Sequence, residues 1–214
     1  LTRGVFGIGL SSLFSDCGHE IGTALLPVLL AGMGAPAFAL GVIEGVADGL
    51  SSFAKLIGGW FADRPAWRKP IAAGGYLVVG LSTFAYGFAR SWPAVLVFRA
   101  LGWTGRGGKN PSRDALLADA VPNAHLGRAF GFERAMDTTG AIVGPMCATA
   151  LVSVAGAQTA MRWTLLPGVL AATAFALLVP PGRQARHHVP LAFFTSLRSL
   201  PASFRRYLAG VFVF

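Results

Sequence analysis

The chain has 214 residues, of which 54% are hydrophobic and only 13% are charged, whereas a soluble domain usually carries about 25% charged residues. Its 18 Lys and Arg residues outnumber nine Asp and Glu, for a net charge of +9. The apolar runs between these charges are long enough to span a bilayer. Composition therefore excludes an ordinary soluble domain, and it favours an all-α integral membrane protein over a nucleic-acid-binding one.

Six stretches have the length and apolar character of membrane helices: about 4–30, 37–61, 71–89, 92–117, 129–152 and 162–179. A seventh apolar run begins at Tyr207, and its eight residues up to Phe214 are too short to cross a bilayer. We therefore expect a six-helix transmembrane bundle over 1–179, a basic linker over 180–206, and the truncated start of a seventh helix over 207–214.

The basic residues between the predicted spans indicate the orientation. They concentrate after spans two, four and six, including the 180–206 stretch, while the other loops contribute only Arg90 and Arg162. Because loops rich in Lys and Arg stay on the cytoplasmic side, the N-terminus and the linker are predicted to be cytoplasmic. We expect the plasma (inner) membrane of a prokaryote.

Charged side chains inside a bilayer are costly, and they usually face a bundle interior or an aqueous cavity. Spans three and six carry none, whereas the other four spans carry many. This distribution predicts two inverted repeats of three helices, a 3+3 bundle whose third members face lipid.

Depth along the helices divides the polar residues into two predicted layers. The deeper layer is the expected site of substrate binding and proton coupling, and consists of Asp16, His19, Glu20, Glu44, Asp48, Arg99 and Arg106. The other layer lies near the cytoplasmic end as an expected gate, and consists of Arg113, Asp114, Glu133 and Asp137.

Asp16 and Glu20 are one helical turn apart in the first span. A carboxyl group partly withdrawn from water can bind and release a proton near physiological pH, which favours a role in coupling. A static salt bridge to an arginine of span four is an equally consistent alternative. It would leave coupling to Glu44 or Asp48.

A transition-metal site is suggested by His19, which lies beside Asp16, Cys17 and Glu20. Cys17 points about 100° away from Asp16 around the helix, and only one histidine is available at that depth, so a closed site has poor geometry. The other cysteine, Cys147, lies in another span without CxxC spacing. The sequence predicts no disulfide framework, no metal and no cofactor.

Small residues recur every four positions in two spans. Gly41, Gly45 and Gly49 form such a stripe in span two, and Gly140 and Gly144, followed by Pro145, form another in span five. This spacing is typical of helices whose backbones approach closely. We expect both stripes to serve helix packing, with a backbone contact to substrate as the alternative for span two.

The loop after span two reads Gly59-Trp-Phe-Ala-Asp63-Arg64-Pro-Ala-Trp-Arg68-Lys69-Pro. This loop resembles the signature of the major facilitator superfamily. Its position after span two, Arg99 and the segments 125–128 and 140–145 add to the resemblance. The resemblance implies that this chain corresponds to the N-terminal half of such a protein, that a C-terminal six-helix half is missing from it, and that the loop belongs to the cytoplasmic gate. Ala66 and Trp67 depart from the motif, which usually has a glycine and a basic residue there.

The resemblance and the buried charges together predict a secondary active transporter. We expect it to move a small molecule by alternating access, with proton coupling and with efflux favoured over uptake by the similarity of segment 140–145 to an antiporter motif. An enzyme is not expected, because the sequence shows no nucleophile–base pair or phosphate-binding loop. The alternatives are a non-transporting scaffold or binding half and a metal-ion transporter of the same fold.

Overall fold

The computed structural model describes residues 2–182, 201–203 and 206. The chain divides into a unit of residues 1–184 and a second unit of residues 185–214. Only residues 201–203 and 206 of the second unit are described. Most of the predicted linker 180–206 and all of the predicted helix start at 207–214 therefore lie outside the described residues.

Residues 2–182 form six α-helices joined by short connections, and no strand occurs among them. Two 3-10 turns, Tyr86–Phe88 and Asn123–His125, precede α4 and α5. The helices are α1 (Arg3–Gly32), α2 (Phe38–Ala62), α3 (Pro65–Ala85), α4 (Trp92–Asp119), α5 (Leu126–Trp163) and α6 (Leu165–Leu178). The all-α fold class is confirmed.

Two of the predicted spans need correction at their ends. α3 begins at Pro65 rather than near residue 71, because proline fits the first turn of a helix, where its missing N–H has no intrahelical role. α5 continues to Trp163, well beyond residue 152. Gly156 interrupts it with φ 75° and ψ 164°, a conformation essentially confined to glycine, so α5 is a long helix with a kink near its end.

Two segments among the described residues are long and apolar enough to cross a membrane by length and composition alone. They are Pro65–Phe88, with a mean hydropathy of 1.4, and Asn123–Leu178, with 1.7. The second contains α5 and α6. α1, α2 and α4 carry all of the residues of the deeper polar layer, and these three helices do not meet that length and composition criterion.

The helix contacts repeat with a period of three helices. α1 packs mainly on α5 and α6, α4 packs mainly on α2 and α3, and α3 contacts α6. If α1, α2 and α3 are exchanged with α4, α5 and α6 in that order, the same pairs of helices are in contact. The packing therefore has the symmetry of a 3+3 repeat.

The apolar core lies in two clusters, one at each end of α1. Val5 and Ile8 belong to the cluster at its N-terminal end, and Leu25 and Leu29 belong to the cluster at its C-terminal end. Between them α1 buries a run of polar side chains: Ser11, Ser12, Ser15, Asp16 and His19. Polar groups are thus concentrated at mid-height of the bundle.

α3 and α6 each bury one face and expose apolar residues such as Leu81 and Leu166 on the other. α2 and α5 also leave much of their surface exposed within this chain. The lipid-facing position expected for spans three and six stays a prediction.

The glycine stripes of α2 and α5 have different surroundings. A Cβ placed on Gly140 or Gly144 would overlap the α1 backbone beside Leu13 and Cys17, so α5 and α1 touch there. Pro145 follows within the same helix, and its carbonyl accepts a hydrogen bond from the Thr149 hydroxyl at 2.9 Å.

The α2 stripe packs against no other helix among the described residues, so its packing role stays a prediction. No atom lies within 4 Å of a Cβ built on Gly41, Gly45 or Gly49 in the described residues. The reason is that α2 turns its other face to α4, where Gly58 meets the backbone of Gly108. The stripe faces away from the helices described here.

We predict that Gly140→Ala destabilises the protein by about 1–3 kcal/mol, because the added methyl group overpacks the α1–α5 contact. Gly131→Ala is the matched control, since Gly131 lies on the same helix and a Cβ there meets no described atom within 4 Å. Thermal unfolding of the detergent-purified full-length protein measures both. Equal melting temperatures would contradict the close approach of the two backbones.

Candidate functional site

Three arginines of α4 form ion pairs with three other helices. Arg99, Arg106 and Arg113 are seven residues apart, so they lie on one face of α4 at intervals of about 10 Å. Their partners are Glu44 on α2, Asp16 on α1 and Glu133 on α5. We call these three pairs the ion-pair ladder. It has three levels, whereas the sequence predicted two polar layers.

The first pair joins α4 to α2. A terminal nitrogen of Arg99 donates to both carboxylate oxygens of Glu44, at 2.9 and 3.0 Å. Another terminal nitrogen donates to the Thr23 hydroxyl at 3.2 Å. The Arg99 side chain is 2% exposed and that of Glu44 is 34% exposed. The pair therefore joins a buried arginine to a carboxylate that is partly open to the surroundings of the six helices.

The middle pair joins α4 to α1. Arg106 donates to Asp16 at 2.5 Å, and the Asp16 side chain is only 5% exposed, against 22% for Arg106. Asp16 lies near the midpoint of α1. A carboxylate with so little contact with water depends on its arginine for compensation of its charge.

The other residues predicted for the deeper layer are not joined to the ladder by ion pairs. His19 is buried and its ring meets the Trp103 ring edge-on, with the centroids 5.3 Å apart. Glu20 is half-buried and Asp48 is exposed. Neither carboxylate forms a salt bridge with any residue of the described part of the chain.

The third pair belongs to the predicted cytoplasmic gate. Arg113 lies 2.8 Å from Glu133 and 2.9 Å from Asp114. The Ser12 hydroxyl donates to Glu133 at 2.8 Å and accepts from Arg113 at 3.3 Å. Arg113 and Glu133 are almost fully buried. Asp137 pairs instead with Arg134, at 3.0 Å near the surface of α5.

The signature loop is held to α4 through Arg68. This side chain donates to Asp119 at 2.6 Å and to the carbonyl of Ala62 at 2.5 Å. Arg64 stacks over the Trp60 ring at 3.6 Å. Only Arg68 thus connects the loop to the end of α4 by an ion pair among the described residues.

The remaining loop residues lie apart from that ion pair. Asp63 is exposed, and it forms no salt bridge within the described ranges. Gly59 has open space beside it. Lys69 lines a cavity of about 530 Å³ between the start of α1 and the ends of α4 and α6.

Two of the site's charged residues were missed by the sequence analysis. Asp119 is the partner of Arg68, and its position at the end of α4 was a usable signal. Lys109 is 2% exposed and holds its ammonium 4.0 Å from the centroid of the Tyr76 ring. The sequence places Lys109 between Arg106 and Arg113 on α4. Its burial against α3 could not be predicted, because it depends on how α3 packs against α4.

Polar donors beside the ladder also escaped prediction. The indole N–H of Trp103 and the Nε of Arg99 are buried, with no hydrogen-bond partner in the described residues.

No group of three His, Cys, Asp or Glu side chains in the described part is arranged to hold a metal ion. Chemically, the site offers carboxylate–arginine pairs that a proton or a charged solute can open.

A family model for the Major Facilitator Superfamily matches residues 5–214. The chain belongs to the major facilitator superfamily. It is 30% identical over 144 residues to an uncharacterised MFS-type transporter of Methanocaldococcus jannaschii, covering 67% of this chain and 36% of that protein. It is also 30% identical over 157 residues to an uncharacterised protein of Mycobacterium tuberculosis, covering 72% of this chain and 38% of that protein. The aligned part thus spans little more than a third of these relatives.

Solved structures of the superfamily share the fold. A peptide transporter POT in complex with sulfate matches with a TM-score of 0.74 and 17% identity, covering 99% of this chain and 45% of that one. A bacterial homologue of the human lysosomal transporter Spinster, inward-facing and unoccupied, matches with a TM-score of 0.73 and 18% identity, covering 91% and 47%. The described helices are therefore half of the superfamily fold, in a family of integral membrane proteins.

Proposed function

We propose that the full-length protein is a secondary active transporter that moves a small solute across the plasma membrane by alternating access, is coupled to protons and favours efflux. The observation that carries this proposal is the ion-pair ladder, which ties α1, α2 and α5 to one face of α4. Superfamily membership supports transport, and the resemblance of segment 140–145 to an antiporter motif supports export. The N-terminus is proposed to be cytoplasmic.

Proton coupling is assigned to the middle pair. A proton bound by Asp16 removes the negative charge that faces Arg106, and it thereby weakens the main ionic link between α1 and α4. Loss of the proton restores that link. Because the two states of the pair favour different helix arrangements, proton binding can shift the equilibrium between two conformations.

The gate role is assigned to the cytoplasmic ion pairs. Arg113 and Glu133 join α4 to α5, and Arg68 and Asp119 join the signature loop to α4. These links hold the cytoplasmic ends of the helices together in the conformation described here. Asp63 and Arg64 stand at the same end of the bundle as candidates for contacts with the remainder of the full-length protein.

The proposal is tested with the full-length protein in proteoliposomes that contain the pH indicator pyranine. A panel of organic cations, anions and neutral drugs is added outside. We expect at least one compound to evoke a change of luminal pH, and an imposed pH gradient to drive its accumulation. Accumulation that is independent of the gradient would reject proton coupling, and no movement of any compound would reject transport of these solute classes.

A further inference from the structure

The two cysteines of the sequence meet where α1 packs against α5. Cys17 and Cys147 are both free and half-buried. Both pack against the same apolar cluster, and Cys147 lies one helical turn beyond Gly144, whose position touches the backbone of Cys17. Although the two cysteines are far apart in the sequence, the fold therefore brings both to the contact between α1 and α5.

Their proximity is set by the backbones of the two helices. Gly140 and Gly144 lie directly against the backbone of Cys17. Cys147 follows Gly144 by three residues, so it lies on the same side of α5. Because the two helix backbones touch there, the side chains of the two cysteines are held on neighbouring turns of α1 and α5.

The thiol pair lies on a polar side of the α1–α5 contact. Glu20 is half-buried one turn along α1, and its Cβ is 2.7 Å from a Cβ placed on Gly144. A carboxylate inside a membrane bundle normally faces an aqueous cavity rather than lipid. We expect a dissolved cation to approach the two cysteines from the side on which Glu20 lies.

We propose that Cys17 and Cys147 form a two-thiol site for a soft monovalent cation such as Ag⁺ or Cu⁺. The cation bonds to both sulfur atoms, the two S–H protons pass to solvent, and no group is oxidised or reduced. Soft thiolate ligands favour Cu⁺ as well as zinc and iron–sulfur clusters, but two donors suffice for a soft monovalent cation, whereas a structural Zn²⁺ site needs four.

Silver ion is the probe for this site. The detergent-purified full-length protein is titrated with silver nitrate in chloride-free buffer, then alkylated, and peptide mass spectrometry reports the modification of each cysteine separately. We expect one equivalent of Ag⁺ to protect both thiols together. Cys17→Ser and Cys147→Ser should each remove the protection of the remaining thiol at that concentration, with melting temperatures recorded to confirm folding.

Met146→Leu is the matched control, because Met146 is an exposed thioether next to Cys147 and its loss should leave the titration unchanged. Independent protection of the two thiols, or undiminished protection in either serine variant, would overturn the proposal. So would failure of both thiols to react without silver, or a disulfide-linked peptide in the untreated protein. The site does not depend on the proposed transport, so silver binding by a protein that fails every transport assay would leave it standing.

Discussion

Glu133→Gln is expected to destabilise the full-length protein by about 3–5 kcal/mol, the range for breaking a buried ion pair by removing one partner. The Glu133 side chain is 1% exposed and that of Arg113 is 6% exposed. The substitution leaves the buried guanidinium with a weaker acceptor at position 133 and with the partly exposed Asp114 as its remaining charged partner among the described residues. It should appear as low expression and as a clearly lower melting temperature in detergent.

Two further variants distinguish the loss of this buried pair from a general destabilisation by any substitution in α5. Arg134→Gln breaks a pair between an arginine that is 70% exposed and Asp137, which is 16% exposed, and a pair whose arginine lies in solvent contributes about 0–1 kcal/mol. Replacing both Glu133 and Arg113 by leucine should be less harmful than Glu133→Gln alone, because no charge is left buried without its partner. Similar melting temperatures for Glu133→Gln and Arg134→Gln would contradict the buried pair.

Asp16→Asn is expected to abolish transport driven by a pH gradient while it preserves exchange of solute for solute. Asparagine cannot carry the proton, but exchange needs no net change of protonation. The protein should remain folded, because the asparagine carbonyl can still accept from Arg106, whose side chain is 22% exposed. Both transport modes and the melting temperature are measured on the same preparation.

Asp48→Asn is the comparison variant, because Asp48 is a rival candidate for coupling that is exposed and forms no salt bridge within residues 2–182. If Asp16 carries the proton, Asp48→Asn should keep both transport modes. Normal gradient-driven transport by Asp16→Asn would move the coupling role to Glu20, Glu44 or Asp48. Loss of both modes together with a much lower melting temperature would instead favour a purely structural salt bridge.

The helices and the arginine face of α4 could be predicted from local patterns. Apolar length located the six spans, and the seven-residue spacing placed Arg99, Arg106 and Arg113 on one face. Their partners could not be predicted, because each lies on a different helix. The sequence weighed a salt bridge from either Asp16 or Glu20, and only the rotation of α1 against α4 brings Asp16, but not Glu20, to Arg106.

The glycine stripes and the cysteines show the same limit. Gly41 and Gly140 belong to similar four-residue patterns, yet of the two only Gly140 meets another helix within residues 2–182. The pattern reports that a close approach is sterically possible, but it does not identify the neighbour. Cys17 and Cys147 come together through the α1–α5 contact, which no motif in the sequence encodes.

Alternating access is tested most directly at position 48, one helical turn from Glu44 and the ladder. Asp48→Cys is placed in the full-length protein with Cys17→Ser and Cys147→Ser, and it is labelled with a membrane-impermeant maleimide in right-side-out and in inverted vesicles. We predict labelling from both sides of the membrane, with a proton gradient changing the ratio of the two rates. Labelling from one side under every condition, or from neither, would contradict an alternating-access path along the ladder.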